Sequence, residues 1–192
     1  MGMKIGLFFG SFNPVHAGHL IIAQAVLNET DLDRCWMVVT PQNPFKKKKN
    51  LLREYDRLKM LELALDDNPD IEASNVEFVL PKPSYTIDTL LHLRERMPSY
   101  EFALVMGEDN LEHFHKWKNY EAILKHYPIY CYPRLGSEGG HWEKYPEVKR
   151  FEMPYLDISA TRIRNMIKEK KDVRYLVPKG AYEYLMKEQL YG

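Results

Sequence analysis

Apolar residues fall in two alternating patterns along the chain. Short runs of four to six residues, rich in β-branched and aromatic side chains, predict strands over residues 4–9, 35–40, 71–74, 76–80, 102–106, 129–132 and 148–152. Longer stretches with apolar positions recurring every three or four residues predict helices over 18–29, 53–66, 86–97, 110–117, 120–126, 159–168 and 181–190. In the second of these, Leu58, Leu61 and Leu65, with Met60 and Ala64, form a core-facing stripe. Strands alternating with helices imply βαβ units, a parallel sheet and an α/β fold. Ligands of such sheets bind at the carboxyl ends of the strands.

One junction between the two patterns carries chemistry. Gly10-Ser11-Phe12-Asn13-Pro14-Val15-His16-Ala17-Gly18-His19 joins the first predicted strand to the first predicted helix. A helix N-terminus offers free N–H groups and about half a positive charge, which suits phosphate. Gly10 and Gly18 are expected to let the backbone approach a ligand closely. A plain tight turn would explain the glycines alone. Two histidines three residues apart argue further for function, because buried rings need partners for their nitrogens. They also allow a metal pair, although no further ligand cluster of suitable spacing lies nearby in the sequence.

Composition narrows the classes. Twenty-seven basic residues balance twenty-seven acidic ones, which argues against a general nucleic-acid binder. Cys35 and Cys131, the two cysteines, sit in strand-like runs and read as buried free thiols. No stretch approaches the ~20 apolar residues of a membrane span, and no signal peptide is evident, so a cytoplasmic protein is expected. The length suits one domain. A homo-oligomer is compatible with the sequence, which does not fix the oligomeric state. Loops over 41–51 and 135–145 are expected to move, and the run Lys46–Lys49 is either a solvated patch or a phosphate contact.

The junction resembles the GxFxPxHxGH form of the HxGH signature of the nucleotidyltransferase superfamily. Ile158-Ser159-Ala160-Thr161-Arg162-Ile163-Arg164 resembles the superfamily's second signature, ISSTxIR, with Ala160 in place of the second serine. Pro83-Ser84-Tyr85-Thr86 and the Gly107–Trp117 segment extend the likeness to the bacterial nicotinate-mononucleotide adenylyltransferase family, over essentially the whole chain. The resemblance implies a Rossmann-like parallel sheet with helices on both faces, in a single domain over 1–192. Its C-terminal helical portion, about 157–192, would carry the second signature.

It also implies a reaction and a site. The adenylyl group of ATP would pass to nicotinate mononucleotide by direct in-line attack, giving nicotinate adenine dinucleotide and pyrophosphate in NAD biosynthesis. Since the attacking phosphate oxygen is already anionic, no general base is required. The protein must align two polyanions and stabilise the charge that develops. By the resemblance, His16, His19, Lys46 and Arg164 act on the phosphates. Gly10, Ser11, Phe12, Gly107, Asp109, Ser159 and Thr161 complete the ATP site, and Mg²⁺ arrives with the phosphates rather than on protein ligands. Lys46 follows Pro44-Phe45, where the family pattern has Pro-Pro-His, and Lys47 to Lys49 are alternatives to it. Asn13, Ser84, Tyr85, Thr86 and Trp117 would hold the acceptor, with backbone N–H groups of 84–86 on its carboxylate and Trp117 on its ring. The expected partners are these two substrates, not nucleic acid or membrane. Two other readings stand beside this one. A related enzyme could take a nicotinamide mononucleotide or phosphopantetheine acceptor, although phosphopantetheine enzymes generally have Thr where this chain has His16. The other is a non-catalytic nucleotide-binding sensor.

Overall fold

The structure is a computed structural model that describes residues 2–44, 51–137 and 144–192. Among them, β1 (Met3–Gly10), β2 (Arg34–Val39), β3 (Ile71–Ser74), β4 (Tyr100–Gly107), β5 (Ile129–Tyr132) and β6 (Lys149–Arg150) form one sheet. Its order is β3-β2-β1-β4-β5-β6, and every neighbouring pair is parallel. The helices are α1 (Ala17–Glu29), α2 (Glu54–Ala64), α3 (Thr86–Arg96), α4 (Glu108–Glu112), α5 (Tyr120–His126), α6 (Ala160–Lys168) and α7 (Lys179–Lys187).

Alternation along each strand divides the interior in two. Phe8, Met37, Val105 and Tyr130 face one layer, where they pack with Val26, Leu61, Ile163 and Leu185 of the helices. Leu7, Val38, Leu104 and Ile129 face the other, against Leu90, Leu93 and Ile123. Because both faces are covered, the strands read as continuous apolar runs. Cys35 and Cys131 are buried free thiols; burial pushes the Cys35 thiol up to about 12 and that of Cys131 higher. No helix among the described residues is long and apolar enough to cross a membrane.

Three predicted elements differ from the structure. Residues 76–80, expected as a strand, form a 3₁₀ turn at Val76–Val79 whose Glu77 is buried beside α3. The run 110–117, expected as one helix, begins earlier as α4 and resumes as a 3₁₀ turn at Phe114–Lys116. Leu111 of α4 and Phe114 of the 3₁₀ turn, both fully buried, lie three residues apart in the same core layer. The last predicted strand shrinks to Lys149–Arg150 at the sheet edge, pairing only with β5.

The sequence of connections runs outward in both directions from β1 and β4. Between them lies the point where strand order reverses, and a crevice opens there beyond the carboxyl ends.

Candidate active site

Two hollows meet at this reversal point. A cleft is lined by His16, His19, Asp109, Arg134, Ser159, Thr161 and Arg164. A pocket beside it is lined by Thr40, Glu77, Ser84, Tyr85, Thr86, Trp117 and Lys118. Both share Phe8, Phe9, Gly10, Ser11 and Asn43 as walls.

At the start of α1, His16 is the N-cap residue and His19 stands in the first turn. Their rings stack with centroids 3.6 Å apart. The His16 backbone N–H donates to His19 Nδ1 at 3.2 Å. Nδ1 therefore carries a lone pair, and the neutral ring bears its proton on Nε2 as a donor. Burial, helped by the charge of Arg134, holds the His16 ring down at about 4, so it is neutral at physiological pH. His16 Nδ1 makes no hydrogen bond among the described residues.

The glycines of this turn act differently from the sequence expectation. A Cβ at Gly10 would lie 2.6 Å from the Phe12 ring, and one at Gly18 would lie 3.1 Å from His16 Nδ1. The space they open is filled by the chain's own rings. Phe12 is almost fully buried at a positive φ of 44° and meets His19 edge to face at 5.0 Å. It supports the His19 ring from behind.

Arg164 joins the two signatures. Its Nη1 donates to the Asn13 carbonyl at 2.7 Å and its Nη2 to Thr161 Oγ1 at 3.1 Å. Ser159 caps α6 by accepting from the Arg162 N–H at 3.2 Å. Capping and anion binding use the same helix end, so the two readings of Ser159 coexist. Asn13, expected with the acceptor, lines the cleft. Its Oδ1 accepts from Tyr191 Oη at 2.7 Å and from the Leu52 N–H at 3.3 Å. The C-terminal turn thus reaches back to the first signature.

Asp109 also lines the cleft, whereas Gly107 borders the pocket. Asp109 is not a helix cap; Gly107 holds that position, and Asp109 lies 3.6 Å from Arg134 Nε. In the pocket, Tyr85 caps α3 while Ser84 is buried. The Ser84 N–H is already committed to the Gln42 carbonyl at 3.0 Å, so it cannot serve as an anion donor as expected. The Tyr85 and Thr86 N–H groups make no hydrogen bond among the described residues, as the first turn of a helix requires. Trp117 packs edge to face on Phe114 at 5.5 Å and keeps one side on the pocket. Lys118 spans Asp88, at 2.9 Å, and the Tyr85 ring, at 4.8 Å. Lys46, and the lysines to 49, lie outside the described residues.

Several residues at or beneath the site were missed in the sequence. Arg134 follows β5 by two positions, so the rule that sites gather beyond carboxyl ends was a usable signal for it. Arg57 and Glu77 had no signal, because each sits in an element that looks solvent-facing. Arg57 is 1% exposed, and its guanidinium donates to the carbonyls of Ser11, Thr40, Pro41 and Leu52 at 2.6 to 3.3 Å. It ties the ends of β1 and β2 together beneath both hollows.

The model of the cytidylyltransferase-like family matches residues 7–166. A probable nicotinate-nucleotide adenylyltransferase of Cytophaga hutchinsonii is 51% identical over 190 residues, which cover 99% of each chain. One from Bacteroides thetaiotaomicron is 42% identical, over 95% of this chain and 91% of its own. Among solved structures, Plasmodium falciparum nicotinic acid mononucleotide adenylyltransferase complexed with NaAD is similar at a TM-score of 0.83. That match covers 98% of this chain and 97% of the other at 19% identity, so the likeness is one of fold.

Proposed function

The chain belongs to the cytidylyltransferase-like family, and from that premise we propose that it transfers the adenylyl group of ATP to nicotinate mononucleotide, forming nicotinate adenine dinucleotide and pyrophosphate in NAD biosynthesis. It is an enzyme of the nicotinate-nucleotide adenylyltransferase type. The observation that carries the assignment of substrates to sites is the shared wall of cleft and pocket. Polyanion-handling groups lie on one side of Gly10 and Ser11, and an aromatic pocket with helix-end donors lies on the other.

ATP occupies the cleft, with its α-phosphate at the start of α1. There His19 Nε2–H donates to an oxygen that gains charge in the transition state, and neutral His16 stacks behind it. Arg164 keeps its present bond to Asn13 and turns its remaining donors to the β- and γ-phosphates. Asp109 faces the ribose. The mononucleotide enters the pocket with its ring on Trp117 and its carboxylate on the Tyr85 and Thr86 N–H groups. Its phosphate is thereby aimed in line at the α-phosphate, and attack needs no covalent enzyme intermediate.

Among the described residues, no group of three or more His, Cys, Asp or Glu side chains is placed to hold a metal ion. Mg²⁺ is proposed to arrive on the nucleotide, with phosphate oxygens as ligands. When bound, the ion neutralises charge on the polyphosphate.

The test is pyrophosphate release from ATP and Mg²⁺ with nicotinate mononucleotide, nicotinamide mononucleotide or phosphopantetheine as acceptor. The acid mononucleotide is expected to give the highest kcat/KM. Equal rates, or a preference for either other acceptor, would overturn the assignment.

A further inference from the structure

Glu77 lies on the floor of the acceptor pocket, a poor place for an anion if the acceptor is itself a carboxylate. It is 1% exposed. Its Oε1 accepts from the Thr89 hydroxyl at 2.8 Å. Its Oε2 makes no hydrogen bond of good geometry among the described residues, and neither does the buried Ser84 Oγ. The groups around the carboxyl are Thr40 from the end of β2, Ser84 from the turn before α3, and Thr89 from α3. All three are hydroxyls and none is charged. The charges nearest the pocket mouth, Lys118 and Asp88, neutralise each other.

We infer that Glu77 is a specificity-setting residue of the acceptor pocket, whose buried carboxyl opposes an acidic acceptor at the start of α3 only when it is ionised. The inference rests on the proposed acceptor. Burial without a cation partner favours the protonated carboxyl, and it raises the Glu77 pKa against the smaller opposing effect of the hydroxyls. An ionised Glu77 would repel a carboxylate docked in the same low-dielectric pocket and leave an amide almost unaffected.

The consequence is a pH-dependent choice of acceptor. The ratio of kcat/KM for nicotinate to nicotinamide mononucleotide should be highest at low pH. It should fall by about tenfold or more as pH rises through the raised Glu77 pKa, above the ordinary carboxylate range. Both acceptors carry the same ribose phosphate and share one ATP site, so titration of His16, His19 and the phosphates cancels in the ratio.

The experiment measures that ratio from pH 5 to pH 9 at saturating ATP and Mg²⁺ in the wild type, Glu77→Gln and Thr89→Val. Gln keeps the shape without the charge, so Glu77→Gln should hold the low-pH ratio across the range. Thr89→Val removes the hydroxyl that stabilises the ionised form, so the fall should move to higher pH. The wild-type profile needs no variant to fold. A wild-type ratio near one at every pH would remove the acid-acceptor reading and this inference with it. A clear preference for the acid that ignores pH, a Glu77→Gln ratio that falls like the wild type, or an unmoved limb in Thr89→Val would remove the inference alone.

Discussion

The cleft and the pocket share the carboxyl ends of β1 and β4, yet burial acts on opposite kinds of group in them. In the cleft, burial keeps a base, His16, free of its proton. In the pocket, burial pushes an acid, Glu77, toward keeping its proton. On the proposed reading the cleft works through fixed donors, His19 Nε2, Arg164 and Arg134, and the pocket through an aromatic face and two helix-end N–H groups. Affinity for anions then depends on a few aimed donors rather than on bulk charge. The lesson is that the two halves should fail in different kinetic parameters and at opposite ends of the pH scale.

His19→Ala should separate them most sharply. Losing one preorganised donor at the reacting phosphate is expected to lower kcat by ~10²–10³ for either acceptor, with acceptor KM little changed. The edge-to-face contact with Phe12 is also lost, so stability should fall by about 1 kcal/mol at most. Steady-state kinetics beside thermal unfolding check this. A kcat near the wild-type value would break the distinction between cleft and pocket.

Acid should damage the cleft first. The folded pKa of His16, about 4, lies below the ordinary histidine value of 6.5, so the unfolded chain binds more protons between those values. The stability His16 contributes is complete above about pH 6.5 and is lost as pH falls toward 4, by up to about 3 kcal/mol. Urea unfolding of the wild type and His16→Gln at pH 7 and pH 4.5 measures it. The wild type should lose more than the variant; equal losses would show that His16 is not held neutral.

Trp117→Ala should act on the pocket alone. Removing the ring face is expected to raise KM for both mononucleotides by about tenfold, leaving their ratio and the KM for ATP unchanged. A changed ratio would mean that Trp117 reads the carboxylate.

Tyr191→Phe is the mildest. It deletes the bond from Oη to Asn13 Oδ1, a contact between the C-terminal turn and the first signature. About 1 kcal/mol of stability and a few-fold loss in kcat are expected, with no effect on acceptor KM. A change confined to acceptor KM would reassign Asn13 to the pocket.

Local pattern was enough for much of this. The alternation of apolar runs dictated an α/β sheet, because short continuous apolar runs suit strands covered on both faces and period-3.6 spacings suit helices covered on one. The two signature segments marked the helix ends at His16 and Ser159, since N-terminal anion sites are built within a single turn. Tertiary structure alone decided what lies beneath. Neither the burial of Arg57 under four carbonyls, nor the reach of Tyr191 to Asn13, nor the seat of Glu77 can be read from neighbours in the chain. Residues 76–80 read as a strand because β-branched side chains favour one, but the site under α3 turned them into a 3₁₀ turn with its acid inward. Charge state is likewise set by surroundings drawn from distant segments. A histidine and a glutamate carry no mark in sequence of the desolvation that decides whether they are ionised.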